Sequence, residues 1–302
     1  MKMRTFILIF LVLSVTEGLA QSPARTLRKA YHEESEIKLR TFFQMWANET
    51  PPVSKEEISK MNDTTRNAYL SFVAFYQPLN LEGFGGSEWG NEVYQNVAFF
   101  LVQNQVKVGF ADKVGYGQGE RDSIRDALLS EYCQGDSATI QLYLSRDTKD
   151  WPEILRDAYA RKVRIPEPED VKYQTLRDFR PPVNSGDIIP LYLNNKYEGI
   201  LNRFLGDKHK PLGYGNIMNP ARAYGTSEDK KRFVEKYIKI FYGHWGGYWQ
   251  LTTYPSASSI TFDREMLTAR ISFRMIYEGG YAILENHGDH WDMIYATLTW
   301  IE

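Results

Sequence analysis

The chain has 302 residues, with 36 basic against 38 acidic side chains, a formal net charge of −2, 43% hydrophobic and 14% aromatic residues. That balance excludes a nucleic-acid binder working by bulk positive charge, and the apolar content excludes a disordered chain. Cys133 is the only cysteine, so no internal disulfide can form and the core must hold the fold.

Lys2 and Arg4 precede an apolar run over residues 6–15, and Gly18 and Ala20 are small residues at a cleavage position. The pattern predicts a secretory signal peptide over residues 1–20 and a secreted or periplasmic mature chain starting at Gln21. Its apolar core is about ten residues, short of the roughly 20 that span a bilayer, and no integral membrane segment is expected anywhere in the chain. Removing residues 1–20 takes away Lys2, Arg4 and Glu17 and leaves a net charge of −3.

Over residues 23–46, Leu27, Tyr31, Ile37, Phe42, Phe43 and Trp46 recur at mostly helical intervals and predict one amphipathic helix, ended by Pro51 and Pro52. Ser54 and Glu57 form a capping-box pattern, and Asp63 is read as the cap of a helix reaching Tyr76. A glycine-rich stretch, 83–90, leads to apolar runs over 93–102 and 106–110 joined by Gln103, Asn104 and Gln105, read as a hairpin. Alternating Ile140, Leu142 and Leu144 predict a further strand. Charges and prolines crowd residues 146–182. The predicted boundary therefore lies near 180, between a mixed, largely helical domain over 21–180 and an α+β domain over 181–302.

Past that boundary, residues 197–205 predict a helix stopped by Gly206, and residues 227–242 a second one. Strands are predicted over 247–254, 260–263, 266–277, 281–285 and 292–301, with turns at 255–259, 278–280 and 286–289. The clearest alternation, over 267–277, puts Leu267, Ala269, Ile271, Phe273, Met275 and Tyr277 on one face and Thr268, Arg270, Ser272 and Arg274 on the other. The first face reads as core, the second as wet or ligand-facing.

This order of a helix and then consecutive strands, with Gly279-Gly280-Tyr281-Ala282 before His290-Trp291-Asp292-Met293, resembles the closing half of an NTF2-like, cystatin-like α+β domain. The resemblance covers about residues 227–302 and implies a bent sheet wrapping a helix around a cone-shaped cavity, with no catalytic residue carried over. The whole chain is also similar to uncharacterised secreted bacterial proteins, through residues 179–181, 191–193 and 243–249.

Candidate ligand contacts follow. His244, Trp245 and Trp249 sit between glycines and suit a sugar or apolar ligand, although a helix-to-strand junction whose rings bury themselves in the core is the favoured account of them. Arg270 and Arg274 project from one strand face and could clamp an anion, or pair with Asp263, Glu265 or Glu285. His287, Asp289 and His290 lie within four residues, but in a predicted turn and without a third well-placed ligand, so neither a metal site nor a cofactor is assigned. The glycines at 83–90 and at 115, 117 and 119 fit neither a phosphate loop nor a dinucleotide fingerprint. The expected function is binding of a small-molecule or carbohydrate-like ligand near Trp245, Trp249 and Arg270. The rivals are a hydrolase or isomerase of the NTF2-like type using a carboxylate such as Asp263 in an apolar pocket, and a structural partner-binding module.

Overall fold

The computed structural model describes residues 22–85, 90–206, 225–242 and 249–301. The signal-peptide reading of residues 1–20, part of the glycine-rich stretch, His244 and Trp245 lie outside the described residues. In chain order the helices and strands are α1 (Pro23–His32), α2 (Glu36–Glu49), α3 (Lys55–Ser59), α4 (Asp63–Phe75), β1 (Phe99–Val102), β2 (Gln105–Ala111), α5 (Gln118–Tyr132), α6 (Ser137–Leu144) and α7 (Glu153–Val163). There follow β3 (Gln174–Arg177), β4 (Ile189–Tyr192), α8 (Asn195–Leu205), α9 (Ser227–Val234), β5 (Phe241–Tyr242), β6 (Trp249–Gln250), β7 (Ser256–Asp263), β8 (Thr268–Met275), β9 (Glu278–Asn286) and β10 (Trp291–Ile301). The fold is mixed α+β with a curved sheet that does not close, and among the described residues no helix is long and apolar enough to cross a membrane.

The chain divides into two units. Among the described residues, unit one draws on the segments 22–51, 96–102 and 187–252, and unit two on the segments 52–95, 103–186 and 253–301, so each takes residues from both sides of position 180.

Unit one is a helical cluster on the parallel pair β1–β4. The single helix expected over 23–46 is two: Glu34 turns into the left-handed region at φ 49, and the Ser35 side chain then accepts from the Lys38 amide to start α2 afresh. Trp46 stacks on Tyr197 at 4.9 Å, and its indole Nε1 donates to the Tyr192 carbonyl at 2.9 Å, which satisfies the polar edge of a fully buried ring. Helix α8 ends at Gly206, φ 101, as the sequence indicates. The helix expected over 227–242 stops at Val234, and residues 241 and 242 pair with β6 instead.

Unit two is built on the sheet β10-β9-β8-β7-β2-β3, antiparallel except where β2 runs parallel to β7. The expected hairpin does not form: β1 pairs with β4 and β2 with β3 and β7. The link Gln103-Asn104 has no left-handed residue to close a tight turn, and the Gln103 side chain bonds both the N–H (2.7 Å) and the C=O (2.8 Å) of Ala257. Residues 137–144 form helix α6, not a strand. The Asp136 carboxylate caps it at the Thr139 amide, and Ile140 and Leu144, one turn apart, pack on a small cluster around Leu129, Trp151 and Leu155 while Leu142 faces water. The capping box at Ser54 and Glu57 is present as expected, whereas the cap of α4 is Asn62, with Asp63 the first helical residue.

The meander β7–β10 bends through register shifts in the β9–β10 pair, between Met293 and Tyr295 and between Leu298 and Trp300. Gly279 and Gly280 are part of strand β9, not the predicted turn, which falls at Ile276 and Tyr277. A Cβ on Gly280 would lie 1.9 Å from the Thr297 carbonyl oxygen, so these glycines let β10 approach. Ala269, Ile271, Phe273 and Met275 face the core, where Phe273 meets Phe75 of α4 and Phe84, whereas Leu267, expected on the same face, precedes the strand and is exposed, and Tyr277 lies in the β8–β9 turn. The helix packed on this meander is therefore α4, while α9 belongs to unit one.

Candidate functional site

The sequence-derived candidates separate into the two units. Trp249 lies in unit one with 5% of its surface exposed, tilted on the Tyr242 ring at 4.7 Å, and its Nε1 has no hydrogen-bond partner among the described residues. Arg270 and Arg274 lie on one face of β8, as the alternation requires, but that face is not open water at Arg270. The Arg270 guanidinium sits 3.7 Å from the Tyr281 ring centroid and donates to the Ile165 carbonyl at 3.0 Å. Burial lowers its affinity for its proton, although the Tyr281 hydroxyl and Glu167 oppose that. A parallel arrangement stands beside it: Arg121 of α5 lies 4.5 Å over the Tyr295 ring. The Arg121 contact joins the sheet to α5, and the Arg270 hydrogen bond joins it to the segment around Ile165. Arg274 Nε donates to the Ile276 carbonyl at 2.7 Å, bracing the β8–β9 turn.

Asp263 does not sit in an apolar pocket. Its two carboxylate oxygens accept from the Leu267 amide at 2.9 Å and the Thr268 amide at 2.8 Å, closing the β7–β8 turn, and its cleft is shared with Asp112, Glu120 and Glu285. The neighbouring carboxylates are engaged too: Asp112 with Arg264, Glu120 with Lys113, and Glu285 with the Gln118 amide. This cleft of about 420 Å³ is a network of turn and helix-start contacts.

The arrangement with unanswered charge is in unit one. A cavity of about 270 Å³ is lined by Arg28, Tyr31 and His32 of α1, Arg203 and Phe204 of α8, Gly225, and Lys230 of α9. Its floor is aromatic: Tyr31 meets Phe204 edge-on at 5.4 Å and Phe233 at 5.4 Å. The Tyr31 hydroxyl is fixed, donating to Asp229 Oδ2 and accepting from the Gly225 amide at 2.7 Å. Lys230 Nζ stands 5.6 Å from the Phe204 ring centroid. Among the described residues, Arg28, Arg203 and Lys230 have no carboxylate within ion-pair distance, as Arg25 and Arg232 also have none, while Lys29 pairs with Glu33, Lys196 with Glu49 and Lys231 with Glu235. Three cations around an aromatic floor can take an anion with an apolar part, the guanidiniums gripping oxygens in pairs.

No spacing rule finds this site, because its residues come from three separated segments. The one local signal is that Tyr31 and His32 lie three and four residues after Arg28 on α1, which brings an aromatic and a second basic group next to it. Comparison with family models, with curated proteins and with solved structures gives no match for the chain.

Proposed function

We propose that the protein binds a small anionic ligand, phosphate- or carboxylate-bearing, in the unit-one pocket between α1, α8 and α9. The observation that carries this reading is the convergence of Arg28, Arg203 and Lys230 on one cavity without a carboxylate partner among the described residues. The cavity volume suits a compact ligand better than an extended glycan. Support for a binder over the hydrolase or isomerase reading comes from Asp263, whose oxygens are spent on the β7–β8 turn. Export to the periplasm or beyond, read from residues 1–20, would expose the pocket to solutes outside the cytoplasm and is part of the same proposal. The NTF2-like likeness of the C-terminal region is also kept as a proposal, supported by the bent antiparallel run β7–β10 with a helix, α4, packed on it.

The test is calorimetric titration with phenyl phosphate, with neutral phenol and glucose as controls. The full chain should bind phenyl phosphate and neither control. Arg203→Ala and Arg28→Ala should each weaken binding by about 10- to 100-fold, the effect of losing one charge-assisted hydrogen-bonding group. Equal binding of phenol, or no loss in either variant, would overturn the reading.

A further inference from the structure

We propose a second site, independent of the anion pocket: the β9–β10 hairpin tip binds one divalent transition-metal ion through His287 Nε2, His290 Nε2 and Asp292 Oδ2. The sequence offers Asp289 as the nearby carboxylate, and the third ligand it lacks is supplied by Asp292, two residues into the next strand.

The donor atoms of the three side chains converge. Both imidazole Nε2 atoms lie 3.5 Å from the same Asp292 oxygen, and all three donor atoms fall within 4.8 Å of one another. A separation of 3.5 Å is long for a hydrogen bond between these groups. For these two imidazole–carboxylate edges it is close to the roughly 3.3–3.4 Å edge of a tetrahedron whose centre is about 2.0–2.1 Å from each corner, the bond length of zinc to nitrogen or carboxylate oxygen. The two rings are stacked at 5.1 Å between centroids, and the Nε2 atoms of both face the same Asp292 oxygen.

Asp289 has the outer role. Its carboxylate is 2.6 Å from His290 Nδ1, so the hydrogen on that nitrogen is held there and the Nε2 lone pair points outward, the carboxylate–histidine arrangement that orients metal ligands. The loop carrying these groups is pinned: the His287 amide donates to the His290 carbonyl at 3.0 Å, the Asn286 side chain accepts from the Gly288 amide at 2.8 Å, and Gly288 takes φ 94. Asn286 Nδ2 in turn donates to the Met266 carbonyl at 2.8 Å.

Two imidazoles and one carboxylate favour Zn²⁺, Cu²⁺, Ni²⁺ or Co²⁺ over Ca²⁺ and Mg²⁺, which need more oxygen ligands than the tip offers. Three protein ligands on an exposed tip leave the remaining coordination to water.

The experiment titrates Zn²⁺ by calorimetry into the tag-free full chain after chelator treatment. The expected result is one ion per chain, weakened at least 10-fold in His290→Ala and in Asp292→Asn and about 10-fold in Asp289→Asn. Saturating Zn²⁺ should raise the melting temperature of the parent chain and not that of His290→Ala, a readout that also shows the variant is folded. Failure of the parent chain to saturate at millimolar Zn²⁺, or unchanged affinity in both ligand variants, would overturn the site. Neither outcome bears on phenyl phosphate binding in unit one.

Discussion

Phe273 and Arg274 are adjacent in the chain and opposite in surroundings. The Phe273 ring is 3% exposed and packs on Phe84 at 5.2 Å and Phe75 at 5.6 Å. Phe273→Ala should therefore cost about 3–5 kcal/mol, through lost transfer energy and the cavity left behind. Arg274→Ala removes a half-buried side chain whose Nε donates to the Ile276 carbonyl in the turn, and should cost about 1 kcal/mol or less. Denaturant unfolding of the two variants checks the contrast, and equal losses would mean that both faces of β8 carry core. At this scale the faces of β8 were legible, since period two needs only the local sequence. What covered the second face was not: Arg270 is buried by Tyr281 and by carbonyls about 105 residues earlier, a pairing no window along the chain contains.

Elements were legible where one local interaction decides them. The Ser54–Glu57 capping box and the Gly206 stop are read directly from side chains that satisfy backbone groups within one turn. They were misread where two local patterns compete. Residues 138–144 alternate like a strand, yet Asp136 starts a helix whose contacts lie one turn apart. Glycine misled in the same way at 279 and 280, where it admits a neighbouring strand and does not form the turn. Gly280→Ala tests this: its Cβ would collide with the Thr297 carbonyl and must push β9 and β10 apart, so a loss of about 1–3 kcal/mol is expected in thermal or denaturant unfolding. A neutral result would show that β10 can move away from β9 without cost.

Over the whole molecule, sequence order is a poor guide to partnership. β1 and β2 are separated by two residues, yet their partners stand some 65 to 155 residues further on, which is why neither the hairpin nor the contact pattern of the two units could be read from turn signals. Each unit also carries a tyrosine held neutral. Burial pushes the Tyr94 hydroxyl of unit two far above its ordinary range, and burial together with Glu228 does so for Tyr242 of unit one. In the unfolded chain both ionise near pH 10. Their contribution to stability is thus complete below about pH 10 and is lost as pH rises above it, because only the unfolded state can release the protons readily. Unfolding followed across that range should show stability falling with pH, and tyrosinate absorbance appearing for these residues only as the chain unfolds.

The unanswered cations of unit one carry the proposed anion binding, and the backbone amide of Gly225, which lines that pocket, is its most direct reporter. Backbone amide NMR of the full chain titrated with phenyl phosphate should shift Gly225, Tyr31 and Lys230 together along one saturating curve, a shift abolished in Arg203→Ala. Shifts that concentrate instead around Arg270 and Tyr281, or a titration in which Gly225 does not move, would contradict it.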